Sequence, residues 1–244
     1  MFINRFVWAD LSSYDVAVAE RFYGGVLGWA FADSAIDDYR FALFDDSPVA
    51  AVYPMPEKFA KIKMPPFWMP YIAVESAAQT AKTAGENGGK VEVLDQFGNG
   101  EIALIRDPSG AGFSIYDGGD IASSATGIIA GYELFVPDAE VVRGFYENTF
   151  NWRQVAEGGG HFRLIDKDGN DNTDNKCAVM VQEAADDIRG NKQYWAVHFA
   201  VDSLADAKDA VRKHGGHIWE EHKENQTFAS SPGGEFFILS GRGI

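Results

Sequence analysis

Hydrophobic and polar residues first alternate along the chain and then change to a helical spacing. The stretch "FVWADL" has the period of two that a half-buried strand shows. Polar N-cap candidates follow at Ser12–Asp15. Apolar residues then recur three or four apart, at Val16, Ala19, Phe22, Tyr23, Val26 and Leu27. Gly28 ends this predicted helix, and three short strands follow before Pro56. The pattern predicts one βαβββ module.

A second module of the same kind follows. It begins with the strand "FWMPYIAV", continues through a predicted helix from Ala77 to Asn87, and breaks at Gly88 and Gly89. Strands are predicted near "KVEVL", "GEIALI" and "GAGFSIY". Residues 1–119 are therefore expected to hold two modules.

Three motifs of the first half return in the second half. "FYGGVLGW" from Phe22 recurs as "FYENTFNW" from Phe145, 123 residues later. An Ala-rich helix that closes with Gly-Gly recurs as well, and "RDPSGAGFSI" from Arg106 matches "SSPGGEFFIL" from Ser230. The segment Asp117–Gly127 is rich in small and polar residues, as linkers are. We predict an α+β protein of four tandem βαβββ modules in two domains, residues 1–119 and 126–244.

Charge and composition narrow the function classes. The net charge of −15 and the pI near 4.6 oppose nucleic acids and anionic membranes as partners. The chain has no run of about 18 apolar residues and its first residues do not resemble a signal peptide. We expect a cytoplasmic protein. A single cysteine, Cys177, excludes an internal disulfide.

The tandem modules, with "FYxxxxxW" on the first helix and "DPSG" before a last strand, resemble the vicinal oxygen chelate superfamily. This superfamily includes glyoxalase I, bleomycin-resistance proteins and extradiol dioxygenases, and the resemblance spans nearly the whole chain. It implies that paired modules form two half-open mixed β-barrels, each with a concave face that holds a ligand.

The resemblance also implies where a catalytic metal would bind, because the family's ligands occupy fixed strand positions. Those positions fall on Trp8, Met69, Ser114, Gly131, Ala196 and Ile238, with a further position near Tyr53 or Met55 and near Met180 or Gln182. Five of the first six side chains offer no imidazole, carboxylate or thiolate, and Ser114 offers only a neutral hydroxyl. We therefore expect no bound metal, and the absence of phosphate-loop and dinucleotide motifs predicts no other cofactor.

The residues expected on the concave faces suggest the kind of ligand. The ligand-binding candidates are Phe6, Trp8, Asp10, Met69, Tyr71, Ser114 and Tyr116 in the first half, and Phe135, Phe236 and Ser240 in the second. Aromatic walls with few polar groups suit a planar or apolar small molecule, and an acidic surface attracts neutral or cationic compounds. The expected function is metal-independent small-molecule binding of the glyoxalase and bleomycin-resistance type.

Three alternatives stay open from the sequence. The first is a glyoxalase-like lyase or isomerase that uses Glu133 and His198 as acid and base groups, because these residues occupy the places of Asp10 and Tyr71 in the repeat. The second is a metal-dependent member with a displaced site, and the third is an interaction module with degenerate cavities. His161 opens a predicted strand, and whether it lies at the edge of the second cavity is open. The segment Asp166–Lys176 lacks the residues of a calcium loop and is predicted to be a solvated hairpin. Ligand identity and homodimer formation are open.

Overall fold

The structure is a computed structural model that describes residues 3–119, 128–166, 178–223 and 225–242. The strands of the first half are β1 (Arg5–Ser13), β2 (Ala30–Asp33), β3 (Arg40–Phe44), β4 (Ser47–Pro54), β5 (Phe67–Ala73), β6 (Lys90–Phe97), β7 (Gly100–Arg106) and β8 (Gly112–Tyr116). Those of the second half are β9 (Ile129–Val136), β10 (Trp152–Gly158), β11 (His161–Asp166), β12 (Ala178–Glu183), β13 (Tyr194–Val201), β14 (His217–Lys223), β15 (Gln226–Ser230) and β16 (Phe236–Gly241). The helices are α1 (Val16–Leu27), α2 (Glu57–Lys61), α3 (Ala77–Glu86), α4 (Ala139–Phe150), α5 (Asp186–Arg189) and α6 (Leu204–Lys213).

The strands form two eight-stranded mixed sheets that repeat one order. The first sheet runs β2-β3-β4-β1-β5-β8-β7-β6, and the second runs β10-β11-β12-β9-β13-β16-β15-β14. In each module the first and last strands pair in parallel, and the strands between them form antiparallel hairpins. The predicted α+β fold class with four βαβββ modules is confirmed.

The long helices begin and end where their sequences supply caps. The carboxylate of Asp15 accepts a hydrogen bond from the backbone N–H of Val18 at 2.9 Å, and Gly28 ends α1 with a φ of 71°. In the repeat, Asp138 caps the start of α4 and Asn151 ends it in the left-handed region. The sequence pattern did not predict α2 and α5, because five and four residues are too short to show a helical period.

The chain divides into two compact units that each draw on both halves of the sequence. Unit 1 comprises Met1–Trp8, Pro70–Ala122 and Gly131–Ala196. Unit 2 comprises Ala9–Met69, Ser123–Ala130 and Val197–Ile244. Helices α3 and α4 pack together in unit 1, and α1 and α6 pack together in unit 2. The domain boundaries 1–119 and 126–244 stay a prediction.

In unit 2, the tyrosine of the "FY" motif lies at the centre of a buried network. The Tyr23 hydroxyl donates to Glu235 Oε1 at 2.9 Å and accepts from Trp68 Nε1 at 2.9 Å. Its ring stacks on Trp29, the last residue of the motif, at 5.8 Å between centroids. Burial raises the pKa of Glu235 more than hydrogen bonds from Ser231 and Tyr23 lower it.

Unit 1 contains the same arrangement, built from the other copies of the motifs. The Tyr146 hydroxyl donates to Asp107 Oδ2 at 2.9 Å, and its ring stacks on Trp152 at 6.0 Å. Asp107 Oδ1 also accepts from the backbone N–H groups of the three residues that follow Pro108, at 2.9 to 3.0 Å. Asp107 aligns with Ser231, so in unit 2 the acid that binds the tyrosine comes instead from Glu235, four residues later.

The second glycine of each Gly-Gly pair lets the phenylalanine of the "FY" motif approach. A Cβ on Gly89 would lie 2.6 Å from Phe145 Cε2, and a Cβ on Gly216 would lie 2.7 Å from Phe22 Cε2. Both distances are too short for a side chain at these positions. The three repeated motifs therefore meet in one place within each unit and form its helix-packing core.

Some sequence predictions concern residues outside the described ranges. These are most of the predicted linker Asp117–Gly127, nearly all of the segment Asp166–Lys176, and Cys177. Over the described ranges, every helix is too short or too polar to cross a lipid bilayer.

Candidate functional site

A buried acid lies on the first strand of module 1, in unit 2. Asp10 is 1% exposed, and its Oδ2 accepts a hydrogen bond from the Tyr39 hydroxyl at 3.1 Å. The Tyr39 ring stacks on Tyr53 at 5.8 Å, and strand pairing places Tyr53 opposite Ser12. Burial and then the charge of Asp10 raise the pKa of the Tyr53 hydroxyl. Asp10 therefore lies among tyrosine hydroxyls.

The corresponding acid of module 3, in unit 1, lies beside a histidine. Glu133 is fully buried, and its Oε1 is 3.4 Å from Nδ1 of His161, which is 21% exposed. Strand pairing places both His161 and Phe135 opposite Gln182. Because cross-strand partners share a face of the sheet, these side chains line the same face as Glu133.

Strand pairing shows that these two clusters are equivalent. Asp10 pairs with Ala51, which pairs with Phe41. In the same way Glu133 pairs with Met180, which pairs with Arg163. Tyr39 lies two residues before Phe41 on the same strand region, and His161 lies two residues before Arg163. The two modules therefore retain a buried acid but differ in its partner, a phenol in module 1 and an imidazole in module 3.

Tyr194 completes the module 3 cluster. Its ring stacks on Phe135, with centroids 5.4 Å apart and an angle of 22° between the planes. Burial raises the pKa of the Tyr194 hydroxyl, the charge of Arg189 opposes this shift, and the charge of Glu133 adds to it. The phenol stays protonated at neutral pH and can donate a hydrogen bond.

Module 4 contributes an aromatic row and a histidine in unit 2. His198 Nδ1 is 3.2 Å from Ser240 Oγ, and both residues are buried. Phe236 stacks on Phe228 at 5.2 Å and contacts Trp219 at 5.8 Å. The Trp219 side chain is 56% exposed. The structure thus groups three predicted site residues, His198, Phe236 and Ser240, in one module, and adds Trp219, which sequence reasoning missed.

The predicted site residues of module 2 also share a strand face. Tyr71 pairs with Ser114 and Ala73 pairs with Tyr116, so Ser114 and Tyr116 lie two residues apart on β8. Both are buried, and the Tyr116 ring contacts Phe97 at 6.0 Å.

The remaining predicted ligand contacts are packed residues. Phe6 stacks on Tyr132 at 4.3 Å and contacts Trp195 at 5.0 Å, within unit 1. The Trp8 side chain is buried, and its carbonyl accepts a hydrogen bond from the Tyr132 hydroxyl at 3.2 Å. Met69 is buried as well. Glu133 and His198 belong to different compact units, and their use as acid and base groups stays a prediction.

A cavity of about 340 Å³ lies elsewhere in unit 2. It lies between the end of α1, the end of β13 and the first turns of α6, and Trp29, Phe199, Asp202 and Arg242 are among its lining residues. None of the predicted site residues lines this cavity.

Comparisons with known proteins show what the chain is similar to. No family model matches the chain. The Mycobacterium tuberculosis protein CFP32, whose name assigns it provisionally to the glyoxylases, is 29% identical over 247 residues, which cover 96% of this chain and 89% of CFP32. The anthracycline biosynthesis protein DauV of Streptomyces sp. strain C5 is 32% identical over 161 residues, 58% of each chain.

Two solved structures share the fold. The Mn(II)-bound glyoxalase from Novosphingobium aromaticivorans has a TM-score of 0.64 and 14% identity, over 98% of this chain and 82% of that one. The 2,3-dioxygenase LapB from Pseudomonas sp. KL28 has a TM-score of 0.65 and 13% identity, over 99% of this chain and 93% of that one. This chain therefore has the fold that a glyoxalase and a 2,3-dioxygenase share, and it is similar over nearly its whole length to a protein named as a glyoxylase. The resemblance noted from the sequence is confirmed.

The side chains at the positions that the resemblance assigns to a metal do not suit one. Trp8, Met69 and Ala196 lie there as buried side chains without a nitrogen, carboxylate or thiolate donor that suits a catalytic metal. Among the described residues, no group of three or more His, Cys, Asp and Glu side chains is arranged to hold an ion. The nearest acids on the first strands, Asp10 and Glu133, lie beside Tyr39 and His161 instead.

Proposed function

We propose that this protein binds a small planar or apolar molecule on its strand faces without a bound metal. The observation that carries the proposal is the aromatic row of module 4, where Phe236 stacks on Phe228 and the half-exposed indole of Trp219 lies edge-on to Phe236. Flat rings bind flat ligands through stacking and apolar burial. The buried His198 and Ser240 beside the row supply a polar end that would orient the ligand.

Two further observations narrow the class of ligand. The name of DauV concerns anthracycline biosynthesis, and anthracyclines are planar polycyclic aromatic compounds. The net charge of −15 favours neutral or cationic compounds over anionic ones. The glyoxalase of similar fold carries Mn(II), but the side chains at the equivalent positions here do not suit that ion.

A thermal-shift screen tests the proposal on chelator-treated protein. Planar aromatic compounds are expected to raise the melting temperature, and saturated compounds of equal size are not. Trp219→Ala should weaken binding of a hit about fivefold, because a lost aromatic contact is worth about 1 kcal/mol. Tyr14→Ala removes an aromatic side chain of similar exposure, 55%, away from the row and should leave affinity unchanged. The proposal fails if no planar compound stabilises the protein, or if stabilisation requires an added metal.

A lyase or isomerase that uses side-chain acid and base groups is the second candidate function. The fully buried Glu133 favours it, because a carboxylate excluded from water and placed beside an imidazole can set the protonation of that ring.

A further inference from the structure

The unit 2 cavity of about 340 Å³ has an apolar inner end and a polar outer end. Trp29 and Phe199 line it at 4% and 0% exposure, and their rings meet edge to face with centroids 5.2 Å apart. Asp202 and Asp206 also line the cavity, and both are exposed to solvent. The volume is at the lower end of the range for small-molecule sites, about 300 to 1,000 Å³. The cavity therefore suits a small ligand that has an apolar part and a polar part.

This cavity is separate from the module 4 surface. Phe199 lines the cavity, whereas its neighbour on β13, His198, lies beside Ser240 at the end of the aromatic row. Consecutive side chains of a strand point to opposite faces of the sheet. The cavity thus lies on the helix side of β13, against the first turns of α6.

Unit 1 has a larger side chain at the equivalent place. Leu27 lines the cavity, and the repeat aligns it with Phe150, 123 residues later. Phe150 is 1% exposed, and its ring lies 4.9 Å from that of Trp152, the equivalent of Trp29. A phenyl ring therefore packs on the tryptophan in unit 1, where unit 2 has a shorter side chain and open space.

The polar end of the cavity carries one negative charge without an ion-pair partner in the described ranges. Asp202 pairs with Arg242 at 2.6 Å. Asp206 lies in the first turn of α6, and the hydroxyl of the N-cap Ser203 accepts its backbone N–H at 3.2 Å. The N-terminus of a helix carries about half a positive charge, which the full charge of this carboxylate exceeds. The remaining charge favours a cation, and in unit 1 the equivalent residue is the neutral Gln79.

We infer that the unit 2 cavity is a second binding site, for a small apolar molecule that carries one protonated amino group. The apolar part of this ligand lies against Trp29 and Phe199, and its amino group lies beside Asp206. The site goes beyond the proposed function, because it shares no residue with the aromatic row of module 4 and its ligand needs no flat ring.

NMR titration tests the charge of the ligand with two probes that share a saturated ring, the cation 2-cyclohexylethylamine and the anion 3-cyclohexylpropanoate. The amine is expected to bind at least about threefold more tightly than the carboxylate. Asp206→Gln should weaken amine binding about threefold, and about 0.5 M salt should do the same in the unmodified chain. Asp209→Asn is the matched control, because Asp209 lies on the same helix, pairs with Arg212 and does not line the cavity. It should leave the affinity unchanged.

Two further variants test the place of binding. Leu27→Phe introduces the side chain of unit 1 and should weaken amine binding at least about tenfold, because the ring occupies the space of the ligand. Ala210→Thr narrows the cavity from α6 with the residue that unit 1 has at Thr83, and it replaces the first variant if melting temperatures show that Leu27→Phe does not fold. Trp219→Ala should leave amine binding unchanged.

The inference is overturned if the amine does not bind the unmodified chain, if the carboxylate binds more tightly, or if the folded cavity variant binds the amine with unchanged affinity. The outcome is independent of the proposed function. Planar compounds that stabilise Leu27→Phe in the thermal-shift screen support the module 4 site even if the amine fails to bind. Amine binding that survives Trp219→Ala supports the cavity site even if no planar compound stabilises the protein.

Discussion

Replacing Asp107 by alanine is expected to lower the free energy of unfolding by about 3 to 5 kcal/mol. One oxygen of this carboxylate accepts three backbone N–H groups and the Ser109 hydroxyl, and the other accepts the Tyr146 hydroxyl. Alanine would leave several of these donors buried without an acceptor, and each such donor costs about 1 to 3 kcal/mol. Urea denaturation followed by fluorescence measures the loss.

Ser231→Ala is the matched control, because Ser231 occupies the equivalent turn of unit 2. Its hydroxyl accepts the backbone N–H of Gly233 at 2.9 Å, but Tyr23 donates to Glu235. The expected loss is about 1 kcal/mol. Equal losses for Asp107→Ala and Ser231→Ala would show that the tyrosine–acid bond does not stabilise unit 1.

Trp152→Ala is expected to cost about 3 to 5 kcal/mol, the usual range for removal of a large buried aromatic residue. The indole is 1% exposed, lies against Tyr146 and Phe150, and donates its N–H to the carbonyl of Asn4 at 3.0 Å. A cavity and a carbonyl without its donor would remain. The midpoint of chemical denaturation and the melting temperature should both fall.

The half-exposed Trp219 provides the control for this substitution. Trp219→Ala removes an indole of the same size from the module 4 face and should cost less than about 1 kcal/mol. A loss as large as that of Trp152→Ala would mean that the aromatic row is a structural element rather than a ligand surface.

The sequence was sufficient for the fold because the repeated motifs are the residues that build it. Phe22, Tyr23 and Trp29 recur at fixed spacing because Phe22 lies against Gly216 of another module, Tyr23 binds Glu235 of that module, and Trp29 stacks on Tyr23. Helix α1 was predicted with its observed bounds because Asp15 and Gly28 are strong local signals. Such signals involve only a few neighbouring residues, so a single sequence is enough to recognise them.

The site was less predictable because its contacts depend on strand register rather than on motifs. Glu133 was identified as a buried-face acid from the repeat, but its partner in the structure is His161, which lies on β11. That contact follows from two successive strand pairings, through Met180 and Gln182, which no local pattern reveals. The equivalence of Tyr39 with His161 was hidden for the same reason.

Elemental analysis of the purified protein tests the central claim, metal-independent ligand binding, most directly. The account predicts less than about 0.1 equivalent of zinc, manganese, iron or nickel per chain after dialysis, because the positions at Trp8, Met69, Ser114, Gly131, Ala196 and Ile238 lack suitable donors. One equivalent of any of these metals that survives dialysis, and whose removal by a chelator abolishes ligand binding, would contradict it.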